Sequence, residues 1–303
     1  MRFEIPESFY LEEVRDGHTV SADMKKVWAA ELELYGLFCD VCDRHGLRHF
    51  WTYGNLIGAA RHKGYIPWDD DIDVFMPRED YKKLCEIASQ EFTEPYFFQT
   101  EHTDPGCHIT FAKIRKNGTT AILDFEAPSR YRYHQGIFLD IFPMDNLPDD
   151  PEERRKFGKK TRFLKRMSQV WARMFDSRRI YFGRKIMYLT VPFVYIARGI
   201  VHLFRIPNIP CLRLEKVMQT YNDRETEAVS VFCLGSSHVF LREWFADTVM
   251  LPFEFLEVPA PVGYVELLDK IYGNWHVPAR GAAGRCAHEG MTYDMERPYT
   301  DYL

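Results

Sequence analysis

Nowhere does the chain carry an uninterrupted apolar run of the roughly 20 residues that a membrane-spanning helix requires. The nearest approach, "IMYLTVPFVYIARGIVHLF" from Ile186 to Phe204, is broken by Pro192, Arg198, Gly199 and His202. It reads as a buried helix pair, with an in-plane membrane contact as the alternative. The stretch from Met1 to Val20 has acidic residues where a secretory signal would have its apolar segment, so export by that route is not expected. Cysteine is sparse: seven in 303 residues, odd in number and scattered. That speaks against a disulfide framework and for reduced thiols in the cytoplasm. Internal repeats and low-complexity tracts are absent too. Neither sign of charge dominates, since the net charge of -5 is mild and identifies no partner by itself.

What is present is globular composition, 46% hydrophobic, 27% charged and 15% aromatic, enough for a sizeable core. From Ser21 to His45 apolar residues recur at Trp28, Leu32, Tyr35, Phe38 and Val41, a helical period closed by Gly46 as a C-cap. Then "LRHFWTYG" reads as a strand, "NLIGAARH" as helical, "KGYIP" as a turn, "DIDVFM" as an alternating strand and "REDYKKLCEIASQEF" as a second long helix. Strand-like runs follow at "PYFFQT", "HITFAKIR", "TTAIL" and "GIFLDIFPM". Short strands mixed with helices predict an α+β fold with a mixed-sheet core at about residues 48–145. A basic helical region at about 150–225 and a C-terminal part at 226–303 are expected to belong to the same domain, 1–303.

Between Glu152 and Lys185 thirteen basic residues stand against three acidic ones. A charge run is usually a solvated helical face. The functional alternative is a patch for an anionic partner, be it acidic lipid headgroups, a polyphosphate-linked acceptor or nucleic acid; the apolar segment beside it favours peripheral contact with an anionic membrane, and nucleic acid is not expected as a partner.

The chemistry concentrates in "IPWDDDIDVFMP", which sets Asp69, Asp70, Asp71 and Asp73 against an apolar run. With the period of a strand, Asp71 and Asp73 project from one face. Burying both ionised costs several kcal/mol per ion unless a charge compensates, and Mg²⁺, or Mn²⁺ in its place, is a hard cation suited to oxygen ligands. Asp69 and Asp70 are expected at the strand's mouth, in reach of water. Asp140, the one acid inside the apolar "GIFLDIFPM", is the expected third ligand. Upstream, Gly54 and Asn55 open a helix after a strand, a place where free N–H groups favour phosphate. Arg61, Lys63, Lys113 and Arg115 are candidate phosphate contacts; Lys113 and Arg115 alternate along a strand and so face one side. His288 in "CAHEGM" is a candidate for the rim, although a lone late histidine is more often structural.

Two further signals carry less. "CDVC", Cys39 to Cys42, has metal-like spacing, but it ends a helix and has no second cysteine pair nearby, so thiols packed on a helix are the expected outcome. "WDDDID" lacks the alternating acids, central Gly and closing Glu of an EF-hand.

The block "YGNLIGAARHKGYIPWDDDIDVFMPREDYKKL" resembles the signature of the LicD family of phosphotransferases, and the likeness continues more loosely through "KIRKNGTT", "GIFLDIFPMD" and "YGNWHVP". The resemblance implies a nucleotidyltransferase-like fold in which Gly54 and Asn55 take the turn, Asp71 and Asp73 form the Asp-x-Asp pair and Asp140 is the third acid. Asn55 stands where many members carry Ser or Thr, so hydroxyl contact with a phosphate is lost there, though an amide can still donate. The implied activity is transfer of a phosphoryl-alcohol group, commonly phosphocholine, from a CDP-alcohol donor to a sugar hydroxyl. The implied acceptor is a glycan or lipid-linked saccharide, such as lipopolysaccharide or teichoic acid, at the inner face of the cell membrane. The alternatives are a nucleotidyltransferase that attacks the α-phosphorus of a nucleoside triphosphate and a non-catalytic membrane-surface adaptor. A choline group would call for an aromatic cage, for which Trp51, Tyr53, Trp68 and Trp275 are available.

Overall fold

The computed structural model describes residues 3–123, 133–174, 191–204, 206–232, 239–278 and 292–302. A short hairpin, β1 (Glu13–Arg15) and β2 (His18–Val20), leads into the long helix α1 (Ala22–His45). The Ser21 side chain caps α1 by accepting from the Met24 N–H at 3.2 Å. Its far end stops at Gly46, whose φ of 63° is left-handed, as the sequence predicts. Trp28, Leu32, Tyr35, Phe38 and Val41 are all buried, so the apolar stripe is the face that meets the sheet.

Next come β3 (Phe50–Trp51), the short helix α2 (Tyr53–Ile57) continued by a π-helical turn (Gly58–His62), β4 (Asp73–Pro77) and α3 (Arg78–Glu91). The strands β5 (Tyr96–Gln99), β6 (Ala112–Lys116), β7 (Thr120–Ile122) and β8 (Phe138–Leu147) follow. Then α4 (Pro151–Met174), α5 (Val191–Phe204) and α6 (Ile209–Met218) form the helical region. The chain closes with β9 (Ala228–Ser230), β10 (Val239–Leu241), the hairpin β11 (Thr248–Phe253) and β12 (Leu256–Pro261), α7 (Tyr264–Tyr272) and β13 (Thr292–Asp294). This is a mixed α+β fold, as expected from the sequence. Among the described residues no helix is long and apolar enough to cross a membrane.

One strand organises the sheet. β8 pairs in parallel with β4, antiparallel through its first half with β6, and antiparallel through its last residues with β9. The seven-stranded sheet therefore runs β10-β9-β8-β4-β3, with β6 on the other edge of β8 and β5 beyond it. Buried on both faces, β4 and β8 read as near-continuous apolar runs. A smaller core of Leu147, Phe157, Leu164, Leu214 and Met218 fixes α4 and α6 to the end of β8.

Where β4 turns into α3, the Arg78 guanidinium grips Asp145 of β8 through two bonds of 2.7 and 2.6 Å, and the Asn222 amide adds a third at 2.7 Å. Both charges are buried, at 4% and 0% exposure. Removing one partner strands the other, so Arg78→Met should cost about 3–5 kcal/mol, read as a lowered urea midpoint at unchanged slope.

Candidate active site

The site is assembled by strand register. In the parallel pair Asp73 lies opposite Asp140, and in the antiparallel pair Asp140 lies opposite Lys113. Three charged side chains thus occupy one rung across β4, β8 and β6. The Lys113 ammonium reaches the two oxygens of Asp140 at 2.6 and 2.9 Å, over the ring of Phe138 at 3.6 Å.

Just before β4, Asp69, Asp70 and Asp71 each offer a carboxylate oxygen, and these oxygens lie within 4.8 Å of one another. The sequence reading left Asp69 and Asp70 in water; the structure buries them, at 7% and 1% exposure. Their cover comes from distant segments. Trp28 of α1 donates from its indole to the Asp69 carbonyl at 2.8 Å and stacks on Tyr65 at 4.3 Å. Tyr293 of β13 donates to Asp70 at 2.7 Å. A further acid, absent from the sequence reading, Glu31 of α1, is 2% exposed and accepts from the Tyr65 hydroxyl at 3.2 Å. Its signal was present: three residues after Trp28 and four before Tyr35, it sits on the apolar stripe, where a carboxylate needs a reason.

Burial pushes the carboxyls of Asp69, Asp73 and Glu31 well above the usual range. After burial, the charge of Asp71 is the largest cause in all three. Asp140 and Asp69 add to the shift at Asp73, while Lys113 opposes it. The charge of Asp71 thus acts on Asp69, within its own cluster, and on Asp73, which faces Asp140 across β4 and β8.

Gly54 and Asn55 serve this cluster directly. A Cβ on Gly54 would lie 2.3 Å from Asp69 Oδ2, so glycine makes room for that carboxylate. The Asn55 amide donates to the Asp73 carbonyl at 3.0 Å and accepts from the Asp73 N–H at 3.1 Å. Its side chain is spent on the backbone of the acid strand, in place of the phosphate contact envisaged from the sequence.

The other candidates scatter. Arg61 binds the Trp275 carbonyl and reaches His62 at 3.3 Å. Lys63 is exposed where the π-helical turn ends, with φ 57°. Arg115 shares the face of Lys113 but is buried, bonding Gln99 at 2.8 Å and the Gly136 carbonyl at 2.7 Å. His288 lies outside the described residues. The four rings considered for a cage are dispersed: Trp51 is fully buried against Phe253, Trp68 meets His18, Tyr53 packs on Phe75 and Phe142, and Trp275 is near-buried beside His276. Cys39 and Cys42 are packed on α1, where burial raises the Cys39 thiol to about 12 and Cys42 further, keeping both protonated.

An all-oxygen donor set suits a hard divalent cation. The fit is supported by Asp69 Oδ2, a buried oxygen that accepts no hydrogen bond from any described residue. Acids that repel one another inside the protein are stabilised by a positive ion among them.

Residues 46–173 match the family described as LicD/FKTN/FKRP, nucleotidyltransferase domain, a span that holds the cluster from Gly54 to Asp140. Over that span the chain is similar to the LicD family of phosphotransferases. It is 27% identical over 274 residues to the lipopolysaccharide cholinephosphotransferase LicD of Haemophilus influenzae, covering 83% of this chain and 92% of that protein. An uncharacterized protein of Rickettsia prowazekii, RP689, is 37% identical over 133 residues, 42% of this chain and 47% of the other.

Proposed function

We propose that the chain is a metal-dependent transferase that moves a phosphoryl-alcohol group, phosphocholine foremost, from a CDP-linked donor to a sugar hydroxyl of a cell-surface glycan. One observation carries this reading: Asp69, Asp70 and Asp71 gather their carboxylates immediately before β4, whose first residue, Asp73, faces Asp140 across the strand pair. Similarity along most of the length of a cholinephosphotransferase of lipopolysaccharide supports the choice of group and of a saccharide acceptor.

Asp71, Asp73 and Asp140 are the proposed holders of Mg²⁺, or Mn²⁺, with Asp69 and Asp70 beside them. Bound there, the ion would offset charge on the phosphoryl oxygens and on the departing CMP. The acceptor hydroxyl attacks the distal phosphorus, and the bond from that phosphorus to the bridging oxygen breaks. Asp140, clamped by Lys113, takes the hydroxyl proton. Asn55 holds the Asp73 backbone in place.

The test is a screen of CDP-choline, CDP-ribitol, CDP-glycerol and CTP with the purified chain and Mg²⁺. CMP release from a CDP-alcohol, fastest with CDP-choline and abolished by EDTA, is expected. Pyrophosphate release from CTP in its place would identify a nucleotidyltransferase, and no turnover of any donor would leave the adaptor reading.

A further inference from the structure

Among the described residues, the helical region carries rows of exposed apolar side chains. On α4, Phe157 and Leu164 pack into the smaller core. On a different face Phe163, Met167 and Val170, spaced four and three apart, are 62%, 39% and 45% exposed. On α5, Ile196, Ile200, Leu203 and Phe204 repeat the pattern, with Leu203 at 77% exposure. Single exposed apolar residues are ordinary, but rows at helical spacing mark a surface that something covers.

Charge identifies what covers it. α4 holds nine basic residues and two acidic ones. Lys159, Lys160 and Arg166 are all exposed and lie four before, three before and three after Phe163, so they are its neighbours on the helix surface. An apolar row edged by cations is the pattern of a helix lying in a lipid interface, its row at the acyl boundary and its bases among anionic headgroups. A second copy of the chain is a poorer occupant. A two-fold contact through this face would set Lys159, Lys160 and Arg166 against their own counterparts.

We propose that α4 and α5 dock the enzyme on an anionic lipid surface. Docking would place the site beside a lipid-linked saccharide, but binding itself requires no catalysis.

The full chain is mixed with vesicles of phosphatidylcholine alone or phosphatidylcholine with phosphatidylglycerol, and the bound fraction is read by co-sedimentation. Binding is expected only with phosphatidylglycerol, and it should fall as salt rises. The pairs Phe163→Ser with Met167→Ser, and Ile196→Ser with Leu203→Ser, should each weaken it about tenfold. Replacing Lys159, Lys160 and Arg166 with Gln should remove the preference for phosphatidylglycerol. Melting temperature and CMP release from soluble donor should stay at the wild-type level in all of them, which separates failure of docking from failure of the enzymatic reading. Wild-type protein that ignores both vesicles, or serine variants that bind as wild type, would overturn the proposal. So would a wild-type dimer in sedimentation velocity that the serine pairs turn into monomer without changing vesicle binding.

Discussion

Asp73→Asn is expected to lower donor turnover by about 10³-fold, since several kcal/mol of charge stabilisation correspond to three powers of ten. It should also raise the melting temperature of protein stripped of divalent ions. The two effects have one cause. Burial, then Asp71, Asp140 and Asp69, push the Asp73 carboxyl above its usual range. A carboxyl whose folded pKa exceeds its unfolded pKa binds more protons in the native state, so stability falls as pH rises above the unfolded value near 4. Asparagine removes that penalty. The gain should therefore be clear at pH 8 in EDTA and vanish as pH approaches 4, which differential scanning fluorimetry reads directly. Asp69→Asn should stabilise in the same sense, because Asp69 is shifted the same way by burial and by Asp71 and Asp70. Added Mg²⁺ should stabilise the wild type more at pH 8 than at pH 5, because protons compete for these carboxylates. A variant that is less stable in EDTA, or that keeps near-normal turnover, would remove Asp73 from the cation site.

The second large effect is expected of Gly54→Ala. The backbone at Gly54 does not need the left-handed region, so the alanine is not strained by its own dihedrals. The obstacle is the Asp69 carboxylate, 2.3 Å from the new Cβ and about 3.0 Å at Cγ and Oδ1. A buried aspartate has one short side chain and little room to retreat. A displacement on the order of 1 Å within an acid cluster should cost about 10²-fold in kcat. Gly54→Ala should leave the far-ultraviolet circular dichroism intact and weaken the stabilisation by Mg²⁺. If Mg²⁺ stabilised the variant as it does the wild type, Asp69 would lie outside the cation's surroundings.

Much of this was legible before any coordinates. The period of Trp28, Leu32, Tyr35, Phe38 and Val41 gave α1, and the alternation in "DIDVFM" gave the acid strand, but that strand begins at Asp73, so Asp71 precedes it and does not share its face as the period had placed it. Asp140 stood out because an acid inside an apolar run demands compensation, and the structure sets it beside Asp73 and Lys113. The solvation of Asp69 and Asp70 was misjudged because nothing in their own segment buries them. Trp28 and Tyr293 do, and long-range packing of that kind leaves no local pattern. Asn55 was read by its place after a strand, while its role depends on β4 lying across from it. Arg115 and Lys113 were rightly put on one face, yet a face runs from solvent to interior, and only Lys113 reaches the acids.

The rung shared by β4, β8 and β6 also acts as a check on assembly. Sliding β4 by a single residue against β8 would turn Asp73 to the opposite side of the sheet and bring Ile72 or Val74 beside Asp140. Sliding β6 would take Lys113 from Asp140 and leave a low-dielectric anion without its cation. Misaligned sheets are therefore penalised electrostatically, by the same three side chains proposed to handle the substrate.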